Sequence, residues 1–439
     1  MITRPLDDRS VTLFGSALAG TWLWTLVVKL EDFRAHYGND GVLPLELATK
    51  DGWRLSLNLL SGADSFQAAV FVIAILATIS FIVQLKPLTS SLVMWLTGVS
   101  ILSRNELVLN GADHYFAMLL TWNALLAWSR SRGVAIGYTW QIAVLYFSTG
   151  LAKSAFEPWR DGTAMRDILN LDILTRPWSQ ALAENPMLMA SATYATIAIE
   201  FLAPFGLIAG TLWPRIRSVT LISLAGLHVG IIALLKLYLI PVMSLVSLLP
   251  FIPSTWWTRS PRNTPTDRDS LSPAIAAACV CFVITSTVAS NLPSQRIPLP
   301  NWIKSAAIGV RLDQDWAFYA PPPTPGYDGW WVVDGTTVDG THVDVWSKKT
   351  TSPSYEKPDP YSAFYPNQHW TAYFMNLAAR DEIGTYVQAL GRYLCREWNA
   401  SGNVALARIA IERRSTIDDR NPMPDRTFTV DCKDLSRLY

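Results

Sequence analysis

The chain has 439 residues, half of them hydrophobic and only 16% charged, with a formal net charge of +1. That balance, with a positive mean hydropathy, excludes an ordinary soluble domain and offers no basic stripe for nucleic acid. The lipid bilayer is the expected surrounding.

Apolar runs near 11 to 29, 66 to 85, 88 to 108, 113 to 128, 135 to 152, 187 to 210, 216 to 236, 237 to 252 and 272 to 290 approach the length that crosses a bilayer. They predict an all-α polytopic membrane bundle of eight or nine transmembrane helices. The uncertain pair is 216 to 252, where only Lys236, Leu237 and Tyr238 separate the halves and Pro241 interrupts the pattern, as in a broken or re-entrant pair. The first run is long and is followed by no small-residue cleavage site, so it is expected to stay as an anchor.

Positive residues orient these runs. Arg4 and Arg9, Lys86, Arg130 and Arg132, Arg215 and Arg217, and Arg259, Arg262 and Arg268 all fall on one side in a nine-span count. The N-terminus is expected to be cytoplasmic. Residues 291 to 439 and the acidic loops from Glu31 to Asp51 and Glu157 to Asp172 are then extracytoplasmic. The expected division is a transmembrane unit over 1–255, a cytoplasmic loop and last helix over 256–290, and a small α+β domain over 291–439.

Within that C-terminal region, Trp330 to Asp334 and Thr341 to Trp346 flank a Gly-Thr-Thr-Val-Asp-Gly turn and predict a hairpin. Residues 379 to 398 predict an amphipathic helix, and Val404 to Arg414 and Thr427 to Cys432 predict strands. Cys279 and Cys281 read as small buried hydrophobes of the last span, whereas Cys395 and Cys432 stand where a disulfide can form. No Cys or His spacing predicts a metal site. The 19 tryptophans are read as an interfacial belt and as tail packing. An Asn399-Ala-Ser401 sequon is too short a pattern to carry an argument.

The chemistry is concentrated in polar residues inside apolar runs. Lys153 ends one such run, and an ammonium at that depth costs roughly 2.5 to 3.5 kcal/mol on insertion scales, so it needs a partner, water or a lost proton. Tyr146, Gly150 and Lys153 share a helix face at i, i+4 and i+7, and the glycine admits a neighbouring helix. Asp113, His114, Glu200 and His228 are the other ionisable groups, with Asn110 one turn before His114. Together they suit proton transfer from a membrane-soluble acid. Structural roles compete with that reading: Glu200 pairing with Lys153 or an arginine, Asp113 capping a helix, and each histidine making a buried hydrogen bond.

The ordered blocks Asp32-Phe-Arg-Ala-His-Tyr37-Gly38 with Gly41 and Pro44, Asn110-Gly-Ala-Asp-His114, and Tyr146-Phe-Ser-Thr-Gly150-Leu-Ala-Lys153 come first. Trp159-Arg-Asp161-Gly162, Glu200-Phe-Leu-Ala-Pro204 and Gly226-Leu-His228 follow. Over roughly residues 10 to 255 they resemble the HTTM superfamily, which includes the vitamin K-dependent γ-glutamyl carboxylases and bacterial sporulation-delaying toxin maturation proteins. The resemblance implies a multi-pass protein of a bacterial cell membrane acting on a reduced quinone of the vitamin K hydroquinone type, with O2 and CO2 as co-substrates and no metal. It places the base on Lys153, assisting roles on His114 and His228, and the cavity wall on Asn110, Asp113, Tyr146, Gly150, Trp159, Asp161 and Glu200. If active, such a protein is a γ-carboxylase or epoxidase-like enzyme. The alternative is a non-catalytic maturation or export factor for an exported peptide or small partner protein. A transporter ranks last, because no internal repeat is visible.

Overall fold

The computed structural model describes residues 6–50, 52–258, 273–291, 299–320, 329–380, 382–414 and 426–433. The chain begins with α1 (Asp8–Glu31), which starts where the Asp7 side chain accepts from the Arg9 N–H. Two short helices, α2 (Phe33–Tyr37) and α3 (Leu45–Ala48), lie in the following loop. Then come α4 (Asp64–Ile82), α5 (Pro87–Arg104), α6 (Gly111–Trp128) and α7 (Arg132–Ser154). A loop with α8 (Glu157–Arg160) and α9 (Ala164–Leu169) leads to α10 (Pro186–Ala209), α11 (Pro214–Leu234) and α12 (Ile240–Leu248). The last long helix of the bundle is α13 (Pro273–Asn291), followed by α14 (Asn301–Gly309).

Helix starts follow local chemistry. Proline occupies the first turn of α5, α10, α11 and α12, where its missing N–H costs nothing. Ser131 and Asn185 cap α7 and α10, and Asn110 with Asp113 forms a capping box on α6. Pro241, read from the sequence as an interruption, instead starts α12. The pair at 216 to 252 is broken, with Leu235 bridged to Thr175 and Tyr238 in the left-handed region at φ 51°.

Among the described residues, five helices, α1, α4, α10, α11 and the Ala274–Asn291 part of α13, are long and apolar enough to cross a membrane. Their outward faces carry large exposed apolar side chains, among them Leu76, Leu202, Val219 and Ile222, each more than 60% exposed. Water would not tolerate such a belt, but hydrocarbon would. α6 is wrapped by α5, α7, α12 and α1, and from Tyr115 to Leu120 every residue is buried. Glycine permits the closest crossings. A Cβ on Gly206 would lie 2.1 Å from Thr220 Oγ1 between α10 and α11, and one on Gly137 would meet Val280 of α13 at 2.5 Å.

The C-terminal region contains β1 (Trp330–Thr337), β2 (His342–Asp344), α15 (Gln368–Ala378), α16 (Ile383–Ala400), β3 (Leu406–Arg414) and β4 (Arg426–Asp431). The antiparallel sheet has the order β2-β1-β3-β4, with Val333 opposite Ile411 and Ile409 opposite Val430. α16 packs on β3 and β4, and Cys395 of α16 is bonded to Cys432 just after β4. α15 has no counterpart in the sequence reading, which begins its helix at 379. The break falls between Ala379 and Glu382 instead.

The two parts share their cores. The bundle core runs on through Ala307, Leu312 and Trp316, so residues 299–320 pack with the bundle although they follow position 291. The core of the sheet takes in Val42, Leu43, Leu47, Leu107 and Val108 from bundle loops. Asn376 of α15 donates to the carbonyls of Leu107 and Leu109, clamping the turn before α6.

Candidate functional site

α7 and α10 form one of the most extensive helix pairs in the bundle, and Gly150 sits at their contact. A Cβ there would meet Glu200 and Phe201 at 3.4 Å, an ordinary contact. Gly150→Ala is therefore expected to keep its melting temperature within a degree or two, an effect of about 0.5 kcal/mol at most. Gly150→Leu is expected to force α7 from α10 and lower it clearly, by about 1 to 3 kcal/mol of overpacking. Equal melting of the two variants would show that this crossing is loose.

One turn beyond Gly150, Lys153 Nζ donates to Glu200 Oε1 at 2.5 Å, with both side chains more than nine-tenths buried. The ammonium lies 5.0 Å from the centroid of the Trp159 ring. Across the same space, Tyr146 OH and His228 Nε2 are 2.7 Å apart. Tyr115 of α6 is hydrogen-bonded to Ser244 of α12 and packs edge-on against Trp316, ring centroids 4.9 Å apart. Glu200 Oε2, His228 Nδ1 and Trp316 Nε1 are among the buried polar atoms with no hydrogen-bond partner. Buried polar atoms are normally satisfied, so three in one neighbourhood mark a place where something else can bind.

Trp316 arrives from outside the helices. Thr149 Oγ1 donates to the Trp316 carbonyl and Trp159 Nε1 donates to the Tyr319 carbonyl, while Phe318 packs on Trp316 and fills the space beside Gly111. Tyr319 adopts φ 57°. The segment after α14 therefore covers the Lys153 pair, a role that the sequence reading did not give to Trp316.

The candidate residues fall into two groups. Lys153, Glu200, Tyr146, Gly150, His228 and Trp159 come together. Asp161 is exposed and accepts from Thr163 in a turn with Gly162 at φ 87°. Asn110 and Asp113 serve the α6 cap, and Asp113 Oδ1 also pairs with Lys29 Nζ at 3.1 Å. His114, half-buried, has Arg311, Asp113, Asp313 and Glu106 as its charged neighbours. Successive residues on α6 differ by about 100°, so Asp113, His114 and Tyr115 face different clusters. The competing structural roles weighed for Glu200, Asp113 and His228 correspond to contacts that exist. The chain matches no family model, no curated protein and no solved structure. Its chemistry must be argued from these contacts.

A second buried cluster joins the bundle to the C-terminal region. Lys29, 1% exposed at the end of α1, contacts Asp113 and also His369 Nε2 of α15 at 3.1 Å, and Tyr37 is a further hydrogen-bond partner. His36 packs against Trp370 in a tilted arrangement, ring centroids 4.6 Å apart, and meets His369 edge-on at 6.3 Å. Asn367 donates to Asp32 nearby. A lysine at a helix end reads as one that reaches to the interface, which hid Lys29, and nothing local connects it to a histidine 340 residues away.

Burial, then the Lys29 charge, holds the His369 imidazole well below its ordinary value of 6.5. Burial pushes His36 down to about 3, with Asp32 opposing and Lys29 adding to the shift. Below pH 6.5 the unfolded chain binds protons that these folded histidines refuse, so stability is present above 6.5 and is lost as pH falls toward 3. The slope is expected to reach about 1.4 kcal/mol per pH unit for each histidine. Melting curves from neutral to acid pH will show this fall, and His36→Phe should flatten it. An unchanged slope in that variant would remove His36 from the explanation.

Proposed function

We propose that this is an integral membrane enzyme of the vitamin K-dependent carboxylase type, in which Lys153 deprotonates a quinol-like, lipid-soluble substrate. The observation that carries the reading is the Lys153–Glu200 pair beside unpartnered Glu200 Oε2, His228 Nδ1 and Trp316 Nε1. Aromatic walls from Tyr115, Tyr146, Trp159 and Trp316 suit a flat apolar molecule, and the orphaned polar atoms suit its hydroxyls.

The protons can be followed through the chain's own groups. Passing the Lys153 proton to Glu200 leaves a neutral amine beside the Trp159 ring. That amine can take a hydroxyl proton. Tyr146 fixes the orientation of His228, whose second nitrogen is left to hydrogen-bond a substrate oxygen. O2 and CO2 as co-substrates, and a role in modifying an exported peptide, rest on the sequence resemblance alone.

In this reading the helices cross the membrane eight or nine times, and nine crossings put the two ends of the bundle on opposite sides. The N-terminal side of the bundle is marked by Ser10 donating to the Ile252 carbonyl and Trp257 donating to Ser10. The opposite side is where α1, α5 and α7 end beside the C-terminal region. That arrangement puts the N-terminus and the C-terminal region at opposite ends of the bundle; a cytoplasmic N-terminus rests on the distribution of positive residues, and a bacterial cell membrane on the sequence resemblance.

A peptide maturation factor without catalysis remains the second reading. It is favoured by an open cleft of about 520 Å³ lined by Asn39, Asp40, Glu46 and Asp64, whose carboxylates suit a basic peptide. Oxidation of an added hydroquinone by purified protein separates the two. Turnover that disappears in Lys153→Ala and Lys153→Arg supports the enzyme, and no turnover with any common quinol sinks it.

A further inference from the structure

Glu106, in the turn between α5 and α6, gathers three arginines from distant parts of the chain. Arg54 Nη2 and Arg311 Nη2 reach its Oε1, the latter at 3.0 Å, and Arg380 Nη2 reaches its Oε2 at 3.0 Å. Arg54 precedes α4, Arg311 follows α14 and Arg380 ends α15, so the cluster lies on the seam between the bundle and the C-terminal region. One carboxylate offsets one of the three cations. Asp313 is a second acid within electrostatic reach of Arg311, which still leaves an excess positive charge.

That excess has a direction. The Arg54 side chain is only 7% exposed, yet its Nε and Nη1 have no hydrogen-bond partner. A guanidinium buried with those donors unmet is costly, and arginine N–H groups make strong charge-assisted hydrogen bonds to carboxylate and phosphate oxygens. Arg311 is held at φ 60°, a left-handed conformation that a non-glycine residue keeps only where its surroundings enforce it. It also donates to the Leu102 carbonyl and to Ser103, which fixes its head against α5. Half-buried His114 borders the same group. Glu106 and Arg380 keep 19% and 29% of their side chains exposed, so the cluster is open on one side.

We propose that this seam is an oxyanion site, separate from the Lys153 pair, in which the unmet Nε–H and Nη1–H donors of Arg54, supported by Arg311 and His114, bind a phosphate or carboxylate group. Two sources share that chemistry: a small soluble anion and the phosphodiester of a lipid headgroup. The excess cationic charge favours anions over neutral ligands, and directional N–H donors favour oxyanions that can accept hydrogen bonds.

The test uses the full chain in detergent. Equilibrium dialysis with labelled inorganic phosphate reads the soluble source, and mass spectrometry of copurified lipid reads the other. Wild type is expected to hold phosphate or an anionic phospholipid, and Arg54→Gln to weaken or lose that ligand by about tenfold or more, the worth of a charge-assisted hydrogen bond. Arg54→Lys retains the pairing charge for Glu106 but lacks the Nε and Nη1 donors, so it should fold and still bind weakly. Phosphate alone bound and lost identifies a soluble anion, and lipid alone bound and lost identifies a headgroup. Neither ligand on wild type, or full binding by folded Arg54→Lys, overturns the site.

Discussion

On the proposed function, Lys153→Met is expected to lower the melting temperature sharply and cut quinol turnover by orders of magnitude, whereas Lys153→Arg is expected to cut turnover similarly while leaving the fold nearly intact. The first variant leaves Glu200 in the bundle with no cation beside it. Breaking a buried pair by removing one partner costs about 3 to 5 kcal/mol, although protonation of Glu200 will hold the loss toward the lower end. Arginine preserves the charge opposite Glu200 but keeps its proton, so it cannot serve as a base. A general base contributes roughly 10²- to 10⁴-fold to rate, and that factor is the expected loss in Lys153→Arg.

Removing both partners separates structure from chemistry. Lys153→Met with Glu200→Leu takes both charges out of the bundle, and apolar replacement of a buried pair is often neutral or better. The double variant should therefore melt above Lys153→Met while remaining inactive. Turnover in the double variant would show that the pair is structural, and turnover in Lys153→Arg would move the base elsewhere. Thermal melts and hydroquinone oxidation on the same preparations distinguish these outcomes.

The helices were legible because hydrocarbon imposes a length and a composition that local sequence must meet. The runs at 66 to 85 and 187 to 210 became α4 and α10 within about three residues. Lys153 was legible for a related reason: an isolated charge in such a run demands a partner, and Glu200 provides it. What could not be read were groups joined only by the tertiary fold. Lys29 meets His369, Trp316 covers the Lys153 pair, and Arg311 meets Glu106, across separations that no periodicity spans. His114 shows a different limit. Its position on a helix was clear, but one residue of rotation decides whether it faces Glu200, as Tyr115 does, or Arg311 and Glu106.

The Lys29 cluster makes the second large prediction, because it carries the bundle's hold on α15. Lys29→Met removes the cation that neutralises buried Asp113 and the donor that meets His369. Asp113 would keep its hydrogen bond from the Asn110 N–H, but one neutral donor does not offset an unpaired buried carboxylate, and a loss of about 3 to 5 kcal/mol is expected. Asp113→Asn should cost less, since an amide can still accept at the cap and leaves Lys29 with His369 and Tyr37. The variants should also differ in place as well as in size. Faster amide exchange in α15 is expected for Lys29→Met, because Trp370 and His369 lose their anchor against α1 and α2. By contrast, Lys153→Met should destabilise α7 and α10 first. If α15 exchanges at the wild-type rate in Lys29→Met, the shared apolar core of Leu107, Val108 and Leu377 holds the seam by itself, and the buried lysine serves α6 alone.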